Sequence, residues 1–133
     1  MTAVTPFHPE HERLGPLDSR YVNVSQIPWK PTPTPGIDMK VLMQDEASGL
    51  LTALFRWEPG TELPLHEHVE IEQTYVLSGS IVDEEGEVRE GDFVWRPRGN
   101  RHIARSPEGA LVFCFFLKPN RFLAGEHVGK ELK

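Results

Sequence analysis

Apolar and polar residues alternate in short runs along this chain, and segments bearing glycine or proline separate the runs. In an extended segment, neighbouring side chains point to opposite faces, so each run predicts a strand with one face toward a core. Residues 37–43 and 50–57 make one such pair around the turn-rich 44–49. The segment 72–77 (EQTYVL) carries β-branched and aromatic residues that suit a strand, and Gly79 is expected to end it. Short strands at 80–82 and 87–88 then flank Asp83, Glu84, Glu85 and Gly86, whose charges predict a solvated hairpin tip. Residues 93–96 form the next strand, and 98–101 the loop that delivers His102. Beyond that loop, His102, Ala104 and Ser106 share one face, with Arg101, Ile103 and Arg105 on the other. Residues 110–117 are mostly bulky and apolar on both faces, so that strand is expected to be covered on both sides, as a central strand or by a partner.

The ends are less regular. Residues 1–20 read as a flexible arm, 21–120 as a barrel domain, and 121–133 as a tail that docks through Phe122, Leu123 and Val128 as a short helix or along the sheet. Residues 21–24 alternate and predict a strand. The following PWKPTPTPG (28–36) predicts an extended linker or edge segment, because proline lacks the N–H that a central strand uses. These residues are expected to cross to a second subunit, with 21–24 pairing along its sheet. No run predicts a long helix, and many short strands with turns between them predict an all-β sandwich or barrel.

Candidate chemistry sits in the stretch 60–102. His66 and His68 are two apart and so share a face, Glu72 keeps the same parity, and His102 returns beyond a hairpin. Three imidazoles and a carboxylate form a mixed nitrogen and oxygen donor set, which suits divalent iron, manganese, nickel, cobalt or zinc. Arg96, Arg98, Arg101 and Arg105 cluster around His102 in sequence. Alternation puts Arg101 and Arg105 opposite His102, which leaves Arg96 and Arg98 as candidate substrate-binding residues that grip an anionic or carbonyl group. Cys114 lies in LVFCFFL and reads as a small core residue, and Trp57, Tyr75 and Trp95 read as packing.

The positions Gly60, His66, His68, Glu72 and Gly79 resemble the first motif of the cupin family, and Gly91, Pro97, Gly99 and His102 resemble the second. Ser106 stands where that second motif usually closes with asparagine. The resemblance implies a cupin double-stranded β-helix, a jelly-roll barrel, with His66, His68, Glu72 and His102 as ligands of one divalent metal ion: iron, zinc, nickel or manganese. It also implies a homodimer. The longer runs LTALFRWEPGTELPLHEH and VLSGSIVDEEGEVREGDFVWRPRGNRH look like the cupin-like domain of zinc-binding anti-sigma factors. They also look like small cupin dioxygenases that cleave diketones and hydroxyaryl ketones. The function implied is a metal-dependent dioxygenase acting on a small molecule. The alternative is a non-catalytic, zinc-bearing cupin that senses a ligand or oxidant, or serves as a structural domain.

Composition narrows the setting. With 133 residues the chain is expected to form one domain, and its net charge of −6 argues against nucleic acid or an anionic membrane as partner. The single cysteine permits no intrachain disulfide, no signal pattern opens the sequence, and no apolar run approaches the ~20 residues of a membrane helix. A cytoplasmic location is the expectation.

Overall fold

The computed structural model describes residues 3–125 and 128–130. The chain folds into strands β1 (Ala3–Val4), β2 (Lys30–Pro31), β3 (Ile37–Asp45), β4 (Leu50–Trp57), β5 (Thr61–Glu67), β6 (Glu72–Val82), β7 (Glu87–Arg89), β8 (Phe93–Arg96), β9 (Arg101–Ser106), β10 (Ala110–Phe116) and β11 (Arg121–Phe122). Every pairing between them is antiparallel, in the order β1-β3-β4-β10-β6-β9-β5-β11, with β2 on β3 and both β7 and β8 on β6. Among the described residues no helix is long and apolar enough to cross a membrane.

The expected hairpins at β3–β4 and β6–β7 form, and period-two burial along β4 puts its apolar residues on one core, while β9 turns His102, Ala104 and Ser106 inward. That core gathers Ile37, Met39, Phe55, Trp57, Leu63, Val76, Val112 and Phe116, among others. β6 is the strand that curls the sheet. Its first half pairs with β10 and β8, and its second half with β7 and β9.

Gly79 does not end β6, contrary to the expectation from sequence, because the strand runs through it at φ +76°. A Cβ there would lie 2.0 Å from the Gly109 carbonyl oxygen and 2.8 Å from Ala110 Cα. Glycine is therefore required by close backbone approach as well as by its dihedral. The register against β10 shifts beside it, between Leu111 and Val112, so the kink lets one strand serve both halves of the barrel.

Residues 21–24 do not form the expected strand. Val24–Gln26 is a 3₁₀ turn, the Asn23 N–H donates to His8 Nε2 (3.2 Å), and Tyr21 is 85% exposed. Within this chain β1 and β2 pair with the two ends of β3, and residues 21–24 join no ladder. The proline-rich segment is an edge segment, as expected: Lys30–Pro31 pairs with Asp38 and Met39, and Trp29 lies under the cations of Lys40 and Arg56. At the other end the tail lies along the sheet. Phe122 is buried, and Phe122 pairs with His66. Leu123 donates its N–H to Leu65, whereas Val128 stays exposed.

β10 is central, between β4 and β6, but in the single chain it is covered on one face only. Its other face, with Tyr75, Leu77, Phe93, Trp95 and Phe113, is open to solvent. The sequence expectation of cover on both sides is thus met on the inner side alone.

Candidate metal centre

His66 reaches the interior through a bulge. Along β5, Thr61 and Leu63 face inward, and the register against β9 then shifts between Leu63 and His66. Pro64 sits in that shift, where its missing N–H costs no ladder bond, and the extra residue turns His66 inward. The Pro64 carbonyl lies 2.9 Å from His66 Nδ1 and accepts its proton. His68 follows just past the end of β5. The 97–100 turn fixes it, since the Gly99 N–H donates to the His68 carbonyl (2.7 Å) and the His68 N–H to the Asn100 carbonyl (2.8 Å). That same turn starts β9 and so delivers His102 directly opposite His66.

The three imidazoles, all buried, each offer a ring nitrogen within 4.8 Å of the others. His68 Nε2 and His102 Nε2 are 2.9 Å apart. Glu72 is not within that group: its Oε1 lies 2.9 Å from His68 Nδ1, while the Thr74 hydroxyl donates to its Oε2 (2.8 Å) and the Asn120 amide donates to Oε1 (3.4 Å). Arg96 lines the same cavity, whereas the Arg98 side chain is 76% exposed and lies 3.7 Å from Glu70 on the surface. Ser106 is fully buried and donates to the Ser80 carbonyl (2.7 Å), tying β9 to β6.

Two functional residues escaped the sequence reading. Asp83 is not at a solvated tip; it is buried, and its Oδ2 accepts from His102 Nδ1 (2.8 Å) and from Arg96 Nη1 (2.7 Å). Its Oδ1 accepts from the N–H groups of Glu85 and Gly86, the local bonding of an aspartate-headed turn, which was the one available signal. The second is Asn120, which is 1% exposed and lines the cavity from the segment before β11. Nothing in the sequence around it marks it.

Electrostatics keep His66 and His102 neutral and Glu72 and Asp83 charged. Burial, with the neighbouring His102 ring, pushes His66 down to about 3. Burial and the Arg96 guanidinium likewise lower His102. Burial alone would raise Glu72, but the His68 ring and the Thr74 hydroxyl hold it at about 2. Burial is likewise overcome at Asp83 by His102, the turn amides and Arg96, which hold its carboxyl below the usual range.

A proton count then tests whether a metal fits. Asp83, His102, His68 and Glu72 form a line with three contacts: Asp83 to His102 Nδ1, His102 Nε2 to His68 Nε2, and His68 Nδ1 to Glu72. A metal-binding imidazole is neutral, and two such rings bring two protons, while ionised carboxylates bring none. One contact must therefore set acceptor against acceptor, and the His68–Glu72 contact is the one not aligned as a hydrogen bond. A third proton would satisfy the line, yet burial opposes a charged imidazolium. A cation at the imidazole cluster satisfies it fully, with both Nδ1–H groups donating to carboxylates and both Nε2 lone pairs free for the ion. Two nitrogens each bound at ~2.0–2.1 Å to one ion lie ~3 Å apart, as this pair does. Beside the cluster is a cavity of about 40 Å³, walled by apolar residues such as Ile37, Phe55, Ile81 and Phe116 and entered by Glu72, Arg96 and Asn120.

Comparison with known proteins agrees with this architecture. Residues 18–120 match the model of the ChrR cupin-like domain. No curated protein sequence matches the chain. The fold resembles that of a Methylibium petroleiphilum PM1 protein assigned as an acetylacetone dioxygenase (TM-score 0.77, 22% identity, 90% of each chain covered). It also resembles an acetylacetone dioxygenase from Acinetobacter johnsonii (TM-score 0.75, 18% identity, 87% of this chain and 85% of that one). A third likeness is to the anti-sigma factor ChrR in complex with SigE of Rhodobacter sphaeroides (TM-score 0.60, 19% identity, 70% of this chain). There the match spans only 50% of the other chain. The expected all-β cupin barrel is therefore the fold found, and this chain belongs to the family of ChrR cupin-like domains.

Proposed function

We propose that the chain is a metal-dependent oxidoreductase, a dioxygenase of a small diketone or hydroxyaryl ketone, built on one divalent ion of iron, zinc, nickel or manganese. The observation that carries the metal centre is the buried cluster of His66, His68 and His102, whose ring nitrogens lie within 4.8 Å of one another with Asp83 and Glu72 against its outer nitrogens. His66, His68 and His102 are the ligands through Nε2. Glu72 completes the set as fourth ligand in the arrangement the motif implies, and orients His68 in the arrangement found here. Glu72→Gln separates the two roles, because loss of a ligand weakens binding far more than loss of an orienting contact.

The ion supplies a Lewis acid that polarises a ligand oxygen and, as iron, a redox centre. The chain's own residues do the rest. Asp83 holds His102 in the tautomer whose Nε2 lone pair points at the ion. Arg96 presents its guanidinium to the cavity and orients a carbonyl oxygen; Arg98, on the surface, is proposed only for attracting ligand at the mouth. The apolar wall excludes water. The activity is tested by oxygen uptake of the iron-loaded protein with acetylacetone and a panel of hydroxyaryl ketones. Uptake above the metal-free control supports the enzyme, and none across the panel refutes it.

The small cavity favours a second reading. A site with room for only a few waters suits a zinc-bearing domain that senses a ligand or oxidant, and zinc-dependent melting without turnover would select it. The open apolar face of β6, β8 and β10 supports a homodimer, since exposed patches of this kind mark interaction sites. We take residues 21–120 as the barrel domain, 1–20 as an N-terminal arm and 121–133 as a C-terminal tail.

A further inference from the structure

Asn120 is a buried polar side chain whose carbonyl oxygen has no partner among the described residues. It is 1% exposed and lines the cavity together with His66, Glu72, Arg96 and His102. Its position follows from the chain's course: β11 pairs with β5 at His66, and the Leu123 N–H binds the Leu65 carbonyl, so the residue ahead of β11 is drawn into the barrel mouth. A carboxylate only accepts hydrogen bonds, so the amide nitrogen must face Glu72, to which it donates at 3.4 Å. That fixes the amide's orientation. Oδ1 is then turned away and has no partner among the described residues. A buried acceptor without a partner calls for a donor, and a molecule in the cavity that Asn120 lines can bring one. On the same cavity wall, Arg96 uses Nη1 on Asp83 and has further N–H groups in its five-donor fork. The site thus offers one acceptor and one donor in an apolar surround.

We propose that Asn120 selects the cavity's ligand: its Oδ1 accepts a hydrogen bond from a hydroxyl group on a small hydroxylated carbonyl compound, whose carbonyl oxygen takes an N–H of Arg96. The inference rests on the metal-centre reading, because the ligand is held beside the ion. It adds a residue and a chemical requirement, a hydroxyl donor, that the ligand set does not supply. A compound in which that hydroxyl is methylated leaves Oδ1 buried and unpaired, and such a site discriminates strongly.

The test uses the full chain loaded with cobalt(II), whose visible absorption bands report changes at the ion, titrated with hydroxyacetone and with its methyl ether, methoxyacetone. Wild type is expected to bind hydroxyacetone at least ~10-fold more tightly than the ether. In the cobalt-loaded Asn120→Leu protein the two compounds are expected to bind within ~2-fold of each other, because the buried acceptor that separates them is gone. Asn120→Thr keeps an oxygen acceptor and is expected to recover part of the preference, which guards against a folding defect in the leucine variant. Equal binding of the two compounds by wild type overturns the inference. So does a preference that survives in both variants, or the absence of any spectral response by the cobalt-loaded wild type. Failure of wild type to take up cobalt is a different result: it refutes the metal centre itself, and the inference falls with it.

Discussion

Replacing Asp83 by asparagine tests the least obvious part of the site. The side chain is nearly isosteric, so packing is preserved. Its oxygen can still accept from the Glu85 and Gly86 amides, which hold the turn. The amide –NH₂ must then occupy the position of Oδ2, where His102 Nδ1 and Arg96 Nη1 both donate at 2.8 and 2.7 Å. Donor meets donor on both sides. His102 can relieve its contact only by moving its proton to Nε2, which removes the lone pair needed for an ion. Loss of an outer carboxylate from a ligating histidine costs 10–100-fold in metal affinity, or ~1.4–2.8 kcal/mol. The inverted tautomer places Asp83→Asn at the weak end of that range. The metal-free protein suffers as well, because Arg96, largely buried, loses its charge partner, at a cost of ~3 kcal/mol. Asp83→Ala removes the turn acceptor too, yet leaves His102 free to keep its tautomer. Asparagine should therefore bind metal more weakly than alanine while melting higher without metal. Zinc titration against a competing chelator and thermal melting of the metal-free proteins give both numbers. Affinity of Asp83→Asn within ~3-fold of wild type, well short of the 10–100-fold range above, would refute the reasoning.

The same geometry yields further expectations. The metal-free protein should lose stability as pH falls below 6.5, the unfolded value for histidine, since His66 at about 3 and the lowered His102 take up protons only after the unfolded chain has done so. Each such histidine contributes a slope of ~1.4 kcal/mol per pH unit, and Glu72, lowered from 4.5 to about 2, adds to the loss below 4.5. Urea melts from pH 8 to 4 measure this, and a flat profile contradicts it. Gly79→Ala should cost ~2–5 kcal/mol through left-handed strain and backbone clash, whereas Gly86→Ala, which meets nothing within 4 Å, should be near neutral; denaturant midpoints compare the two. Trp95→Glu together with Phe113→Glu should give monomer mass by light scattering if the open face of β10 joins two copies, and an unchanged dimer mass would place the interface elsewhere.

Much of the barrel was legible because strand alternation and turn residues are local signals. β3, β4, β8 and β9 fall close to where the pattern puts them. The histidine cluster was legible for a different reason, the spacing of His66 and His68 with the return through Gly99 to His102. What failed to show were features set by tertiary approach. Gly79 looked like a stop, yet it lets β6 pass against the Gly109 carbonyl. Asp83 looked like one charge in an acidic run, and only the return of β9 brings His102 to it. Residues 21–24 alternate like a strand, yet end in the 3₁₀ turn Val24–Gln26 and join no ladder of the chain. Asn120 lies 48 residues from Glu72 along the chain, and no local pattern joins them.

The central claim is that the buried His66, His68 and His102 close on a cation. The most direct test is elemental mass spectrometry of the tag-free protein as purified, beside His102→Ala prepared identically. The account predicts near-stoichiometric divalent iron, manganese, nickel or zinc in wild type and little in the variant. Wild type that arrives without metal, and takes up none of these ions on titration, would contradict it.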